Sequence, residues 1–323
     1  MNESSKTGGH ANESFRFVQL SDLHLSTIHR PNPSQLLNKR ILGYLSWLRK
    51  RRHTHQRWIL DLAIEEIRQL NVDHYAITGD LTHIGLKSEF KQVVSWLQSI
   101  AAPDDITLIP GNHDLYVNEQ WQRSFALWEQ YMLGDNKILE ASSKQALTQL
   151  NNIYPIVRIR KHVAFIGLSS VFDAPWFRAT GKIHLDQLNR LEALLSSQAL
   201  DNYCKVLLVH HPLTMTHTPA RKCLLNREEL TSLLKQHTVD LVLHGHGHNS
   251  CLDSLEHSNN HKTPIIGMSS SSSVHQSENY KAEFLLFDIN KTTEGWNINK
   301  QSYKLDMELK KFIPSKTSLA SAN

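Results

Sequence analysis

Cysteine is scarce in this chain of 323 residues: Cys204, Cys223 and Cys251 lie far apart and form no CxxC pair. A disulfide framework is thereby excluded, and a reducing cytosol suits the three thiols. Long apolar runs are also missing, since no stretch approaches the roughly 18 residues that a membrane span needs. The polar N-terminus, MNESSKTGGHANES, lacks the apolar segment of a signal peptide. The chain therefore reads as cytoplasmic, either soluble or peripheral at the inner face of a membrane. No internal repeat is present. Acidic residues are absent between Leu23 and Leu60, although that span holds Arg30, Lys39, Arg40, Arg49, Lys50, Arg51, Arg52 and Arg57. With a formal net charge of only +4 overall, the remainder is mildly acidic, so the basic stretch is a local feature that faces something anionic.

An apolar content of 40% over this length supports a large core. The expected organisation is one domain over residues 15–305 between polar tails at 1–14 and 306–323, with a basic amphipathic helical insertion at about 35–57. Phe15 to Leu20 alternates as a strand. Strands are expected at 74–78, 106–109, 153–159, 162–168, 205–209 and 239–243, and four more follow residue 250. Helices are expected at 56–70, at 88–101 with Ser88 as its cap, at 184–200 and at 226–237, while 119–150 reads as interrupted helix. This alternation, followed by a strand-rich end, predicts a two-layer sheet sandwich flanked by helices. Ser269 to Ser273, five serines in a row, read as a flexible loop.

Five short polar clusters each follow an apolar or β-branched run: Asp22-x-His24, Gly79-Asp80, Gly111-Asn112-His113-Asp114, His210-His211 and Gly245-His246-x-His248. Each therefore falls in the loop after a strand, where open α/β sheets place ligand-binding groups. A turn has use for the Gly and Asn of the third cluster but none for consecutive His and Asp. Aspartate, asparagine and histidine together are ligands suited to Mn²⁺, iron, Zn²⁺ or Co²⁺. The remaining histidines, among them His29, His53, His55, His83 and His217, read as surface or loop residues.

In order and content the five clusters resemble the calcineurin-like metallophosphoesterase family, with its succession D-x-H, G-D, G-N-H-[DE], a histidine and G-H-x-H. Gly79-Asp80-Leu81-Thr82 with Gly85 and Glu89-Phe90, and His-His-Pro at 210–212, look most like its class III cyclic-nucleotide phosphodiesterase branch. The resemblance implies an αββα sandwich, two mixed sheets flanked by helices, and two divalent metal ions. It implies that Asp22, His24, Asp80 and His248 hold the first, and that Asp80, Asn112, His210 and His246 hold the second, with Asp80 bridging. A water shared by the two ions would then attack phosphorus in line. His113 would serve as the general acid, with Asp114 fixing its tautomer and raising its pKa. His211 is expected to position its loop rather than bind metal.

The segment NKRILGYLSWLRKRRHTHQRW sets this chain apart. Leu37, Ile41, Tyr44, Leu45 and Leu48 fall on one helical face, widened by Leu36, Leu42 and Trp47, and Gly43 permits a bend. Such a helix can lie on an anionic membrane surface through residues 39–57, cover an active site as a lid, or pack on the core. As a lid it would suit a lipid-linked diester or pyrophosphate, such as UDP-2,3-diacylglucosamine. The pyrophosphatases of that substrate belong to the same superfamily but typically carry Arg where His113 stands here. A nucleic-acid partner is disfavoured: no binding module is recognisable, and the isoelectric point of about 8.8 lies below the value of about 9 typical of such domains.

Overall fold

Strand alternation at the start of the chain produces β1 (Phe15–Leu20), whose apolar side chains are buried. In the computed structural model, which describes residues 14–25, 27–135, 150–216, 218–258, 261–293 and 295–315, eleven further strands follow. They are β2 (His74–Ile77), β3 (Ile106–Leu108), β4 (Ile156–Arg160), β5 (Val163–Gly167), β6 (Cys204–Leu208), β7 (Leu241–His244), β8 (Cys251–Glu256), β9 (Lys262–Gly267), β10 (Glu283–Thr292), β11 (Gly295–Asp306) and β12 (Lys311–Pro314). The first sheet has the order β12-β11-β10-β1-β2-β3 and the second β4-β5-β6-β7-β9-β8. Both are mixed: β1, β2 and β3 run parallel, as do β5, β6, β7 and β9, while the outer partners are antiparallel.

The two sheets meet through a continuous core in which Phe17 packs edge-on to Phe165 at 5.0 Å and stacks on Phe287 at 4.8 Å. Helices Arg57–Gln69 and Lys87–Ile100 bury Ile59, Leu60, Ala63, Phe90, Val93 and Leu97 in the same core. Helices Leu185–Ser196 and Arg227–Gln236 contribute Leu188, Leu191, Leu230 and Leu234 to a second cluster with residues of β5, β6 and β7. The expected αββα sandwich is therefore what forms.

Several local expectations differ. β12 pairs with β11 beyond residue 306, so the C-terminal tail begins later than the sequence suggested; a four-residue strand with only Phe312 buried gives little alternation to read. Residues 121–132 form two 3-10 turns and the short helix Glu129–Met132, and the rest of that expected helix, 136–149, lies outside the described residues, as do His217 and both chain ends. Ser88 sits inside the first helical turn. The Glu89 carboxylate closes that helix start by accepting from the amides of His83, Ile84 and Leu86.

The insertion is helical over Arg40–Ser46, π-helical over Trp47–Arg51 and helical again to Thr54. Its buried side is Arg40, Gly43 and Trp47, against Ile28, Ile84 and Leu86, with Leu36, Tyr44 and Leu48 packed alongside, so only part of the apolar stripe turns inward. Gly43 is there for close approach: a Cβ would lie 2.6 Å from Ile84. Leu37, Ile41 and Leu45 face outward, 85%, 43% and 37% exposed.

Candidate metal centre

All five polar clusters emerge at the C-terminal ends of strands, from β1, β2 and β3 in one sheet and from β6 and β7 in the other. Asp22, His24, Asp80, His246 and His248 all adopt positive φ, between 40° and 64°. Non-glycine residues take that conformation at a cost that surrounding structure must over-determine, and such strain gathers at functional sites. The loops are locked together by backbone bonds: Asp22 N to Gly79 O at 2.9 Å, His24 N to Asp80 O at 3.0 Å, and Gly245 N to His210 O at 3.2 Å. Two glycines permit this contact. A Cβ on Gly111 would lie 2.2 Å from Asp80 Oδ1, and one on Gly245 1.9 Å from Ser21 Oγ.

The structure brings the expected residues into two groups. Asp22, His24, Asp80 and His248 have ligand atoms within 4.8 Å of one another, as do Asp80, His210 and His246, so Asp80 belongs to both. Asn112 Oδ1 lies 3.3 Å from His210 Nε2, which joins it to the second group. His24 Nδ1 faces Thr82 O at 2.8 Å and His210 Nδ1 faces Thr78 O at 2.7 Å. Those carbonyls accept hydrogen bonds from Nδ1–H and direct Nε2 toward the ligand groups, the usual outer support of a metal-binding histidine.

Electrostatics fit a cation-binding site. His246 Nε2 is buried without a hydrogen-bond partner, an arrangement that a metal ion would satisfy. Burial, reinforced by neighbouring histidines, holds His24 and His246 well below the ordinary imidazole value, so both are neutral donors. For Asp80, burial favours the acid, yet His210, His113 and His24 outweigh it and hold the carboxyl well below its usual range. His210 is the exception among these histidines. Burial disfavours its charge, but Asp80 Oδ2 at 3.4 Å and the more distant Asp22 raise it to about 9.

His113 stands beside both groups, its ring 4.9 Å from that of His24. Its Nδ1 lies 2.6 Å from His83 O and 3.0 Å from Arg51 Nη1. The carbonyl contact is the shorter, and it places the proton on Nδ1. Burial first, then the Arg51 charge, push His113 down to about 3, the opposite of the expected rise. Asp114 does not hold the ring. Its carboxylate instead accepts from the amides of Leu81, Thr82 and Gly111 and from the Thr82 hydroxyl, tying the Gly-Asp loop to the Gly-Asn-His-Asp turn. The backbone turns back between His113 and Asp114, so adjacency in sequence does not make their side chains neighbours.

Three features of the site differ from what the sequence pattern predicts. His55 and His83, expected at the surface, are buried beside His24 at ring separations of 4.4 and 5.3 Å, and His24, His55 and His248 form a third group with ligand atoms within 4.8 Å. Arg51 enters the site from the π-helical turn. The serine run is a buried brace: Ser270 Oγ donates to Asp22 O, Ser271 N to Ser21 O, and Ser272 Oγ lies 2.9 Å from His55 Nδ1. The only available signal was the run itself, lying directly after a strand. His211, expected to position its loop, has Nδ1 2.8 Å from Ser170 Oγ.

Residues 15–250 match the family described as calcineurin-like phosphoesterase. A probable cyclic nucleotide phosphodiesterase from Vesicomyosocius okutanii subsp. Calyptogena okutanii is 27% identical over 236 residues, which cover 72% of this chain and 78% of that protein. Among solved structures, a dimetal phosphatase from Danio rerio superposes with a TM-score of 0.55 at 13% identity, over 89% of this chain and 95% of that one. At that identity the likeness concerns the fold alone.

Proposed function

This chain belongs to the calcineurin-like phosphoesterase family, and from that premise we propose that it is a di-metal phosphodiesterase hydrolysing a phosphodiester bond. The observation that carries this reading is the pair of ligand groups sharing Asp80, assembled from the ends of strands in both sheets. Asp22, His24, Asp80 and His248 would hold one divalent ion, and Asp80, Asn112, His210 and His246 the other. The nitrogen and oxygen donors admit Mn²⁺, iron, Zn²⁺ or Co²⁺. When bound, such ions neutralise phosphoryl oxygens and make water nucleophilic near neutral pH.

The protein's own groups do the rest. His113 has its Nδ1 on the His83 carbonyl, which leaves Nε2 to meet the substrate and protonate the leaving oxygen. Burial and Arg51 keep that ring neutral in the absence of a neighbouring anion. An anionic phosphoryl group opposes both causes and favours the charged acid. Asp114 keeps the two catalytic turns in register through four hydrogen bonds. No side chain is needed as a nucleophile.

The test is hydrolysis by Mn²⁺-loaded protein of bis-p-nitrophenyl phosphate, p-nitrophenyl phosphate and cyclic AMP. The reading expects the diesters to be preferred over the monoester. A strict monoesterase would overturn it.

One observation supports a second reading, a lipid-linked substrate such as UDP-2,3-diacylglucosamine taken from a membrane surface. Leu37, Ile41 and Leu45 are exposed at four-residue spacing, with Arg49, Lys50 and Arg52 exposed just beyond them. An apolar stripe beside basic residues matches an anionic bilayer. Co-sedimentation with vesicles containing phosphatidylglycerol should be lost on replacing Leu37, Ile41 and Leu45 by Ser. Absence of wild-type binding would remove this reading.

A further inference from the structure

A cavity of about 380 Å³ opens beside Asn112 and His113, and its walls carry Lys39, Arg51, Arg178, Arg221 and Lys222 but no carboxylate. Lys39 is committed to Asp173 and to the Ala174 carbonyl. The other four cations make no ion pair with a carboxylate among the described residues. Arg51 is half-buried, and among the described residues its guanidinium hydrogen-bonds only to a ring nitrogen of His113 and, at 3.4 Å, to the His83 carbonyl. Lys222 is half-buried as well, close enough to Asp22 and Asp80 for both carboxylates to act on its charge.

Four cations gathered with no carboxylate in direct contact repel one another, and drawing Arg51 and Lys222 partly out of water adds a desolvation cost that Asp22, Asp80 and Glu89 offset only from a distance. An anionic ligand removes both penalties. The phosphoryl group under attack is already provided for by two metal positions and His113, so this second concentration of charge exceeds what one phosphodiester requires.

We propose that the substrate carries a second phosphate group near the scissile one, and that Arg51, Arg178, Arg221 and Lys222 receive it in this cavity. Arg51, between the cavity and His113, spans the two phosphate positions. The inference rests on the phosphodiesterase reading and narrows its substrate class to bisphosphorylated or diphosphate-containing esters. Cyclic AMP and simple diesters then become poor substrates that occupy only half of the site.

The experiment measures binding of inorganic phosphate and of methylenediphosphonate to the Mn²⁺-loaded full-length protein by calorimetry, with metal content determined for every sample. Wild type is expected to bind the diphosphonate at least about tenfold tighter than phosphate, the lower end of what one charged hydrogen bond supplies. The double variant Arg221→Gln, Lys222→Gln should lose that preference while phosphate affinity stays within about twofold, and Lys222→Arg should retain it. A wild type without the preference overturns the proposal. So does a double variant that keeps it, because the metal positions alone would then hold the diphosphonate. Turnover of bis-p-nitrophenyl phosphate is followed in parallel: its absence would count against the reaction, whereas calorimetry decides the second phosphate site independently.

Discussion

His113 and Asp114 are adjacent in sequence and do different work, which two substitutions separate. His113→Ala removes the group that meets the leaving oxygen, and turnover should fall about 100-fold or more while metal content and thermal stability stay near wild type. Asp114→Ala strands the buried amides of Leu81, Thr82 and Gly111. Since an unpaired buried donor costs roughly 1–3 kcal/mol, that variant should lose about 3 kcal/mol of stability in urea denaturation. Equal stability of the two variants would refute the division of roles. His210 adds a pH dependence. In the metal-free protein its folded value is about 9 against an ordinary 6.5, because Asp80 outweighs burial. A raised value means the folded state holds the proton more tightly, so the stabilisation is complete below about 6.5 and is lost as pH rises through about 9. The gap in unfolding free energy between chelated wild type and His210→Gln should therefore shrink from pH 6 to pH 9.5, by on the order of 3 kcal/mol. A constant gap would show that the pair does not form.

Among the elements, the insertion departs most from its sequence pattern, and Arg40 explains how it is held. Arg40 is buried, donating to the Ile84 and Gly85 carbonyls and pairing with Glu119 at 3.2 Å. Breaking a buried pair on one side commonly costs about 3–5 kcal/mol. Arg40→Ala should thus release the insertion locally, and brief trypsin digestion should cut within Arg49 to Arg52 faster than in the wild type, where the helical backbone should slow cleavage at these residues. Unchanged cleavage would mean that the packing of Trp47 and Gly43 suffices. The leucine spacing showed that a helix forms here but not which side turns inward, because the π-helical turn rotates the later residues and brings Arg51 and His55 to the site. Periodicity carries no sign of such a turn. The serine run was illegible for a related reason: its partners, Ser21 and Asp22, lie about 250 residues away, and no local rule anticipates a bond of that span. By contrast, β1 was readable to the residue, because strand alternation and the turn that follows are both local.

At the scale of the whole molecule, the sandwich places the metal-ligand candidates on two separate sheets. Asp22, His24, Asp80 and Asn112 follow β1, β2 and β3, whereas His210, His246 and His248 follow β6 and β7. The sequence revealed this arrangement as five strand-end clusters but not the division between sheets, since strand order depends on which apolar faces meet. One consequence is mechanical. Divalent ions held by these residues would cross-link the open ends of both sheets, while the opposite side depends on contacts such as Phe17 with Phe165. A ligand that binds only the folded state stabilises it in proportion to the logarithm of its saturation, about 4 kcal/mol at a thousandfold excess over Kd. Chelation should accordingly lower Tm by several degrees, and the loss should be reversed by Mn²⁺ or Zn²⁺. Asp80→Asn weakens both positions at once, so its Tm in excess metal should approach that of the chelated wild type. His246→Gln removes a donor from the second group alone, and should fall between the two. If Asp80→Asn and His246→Gln lost the same amount, Asp80 would be serving one ion rather than joining two.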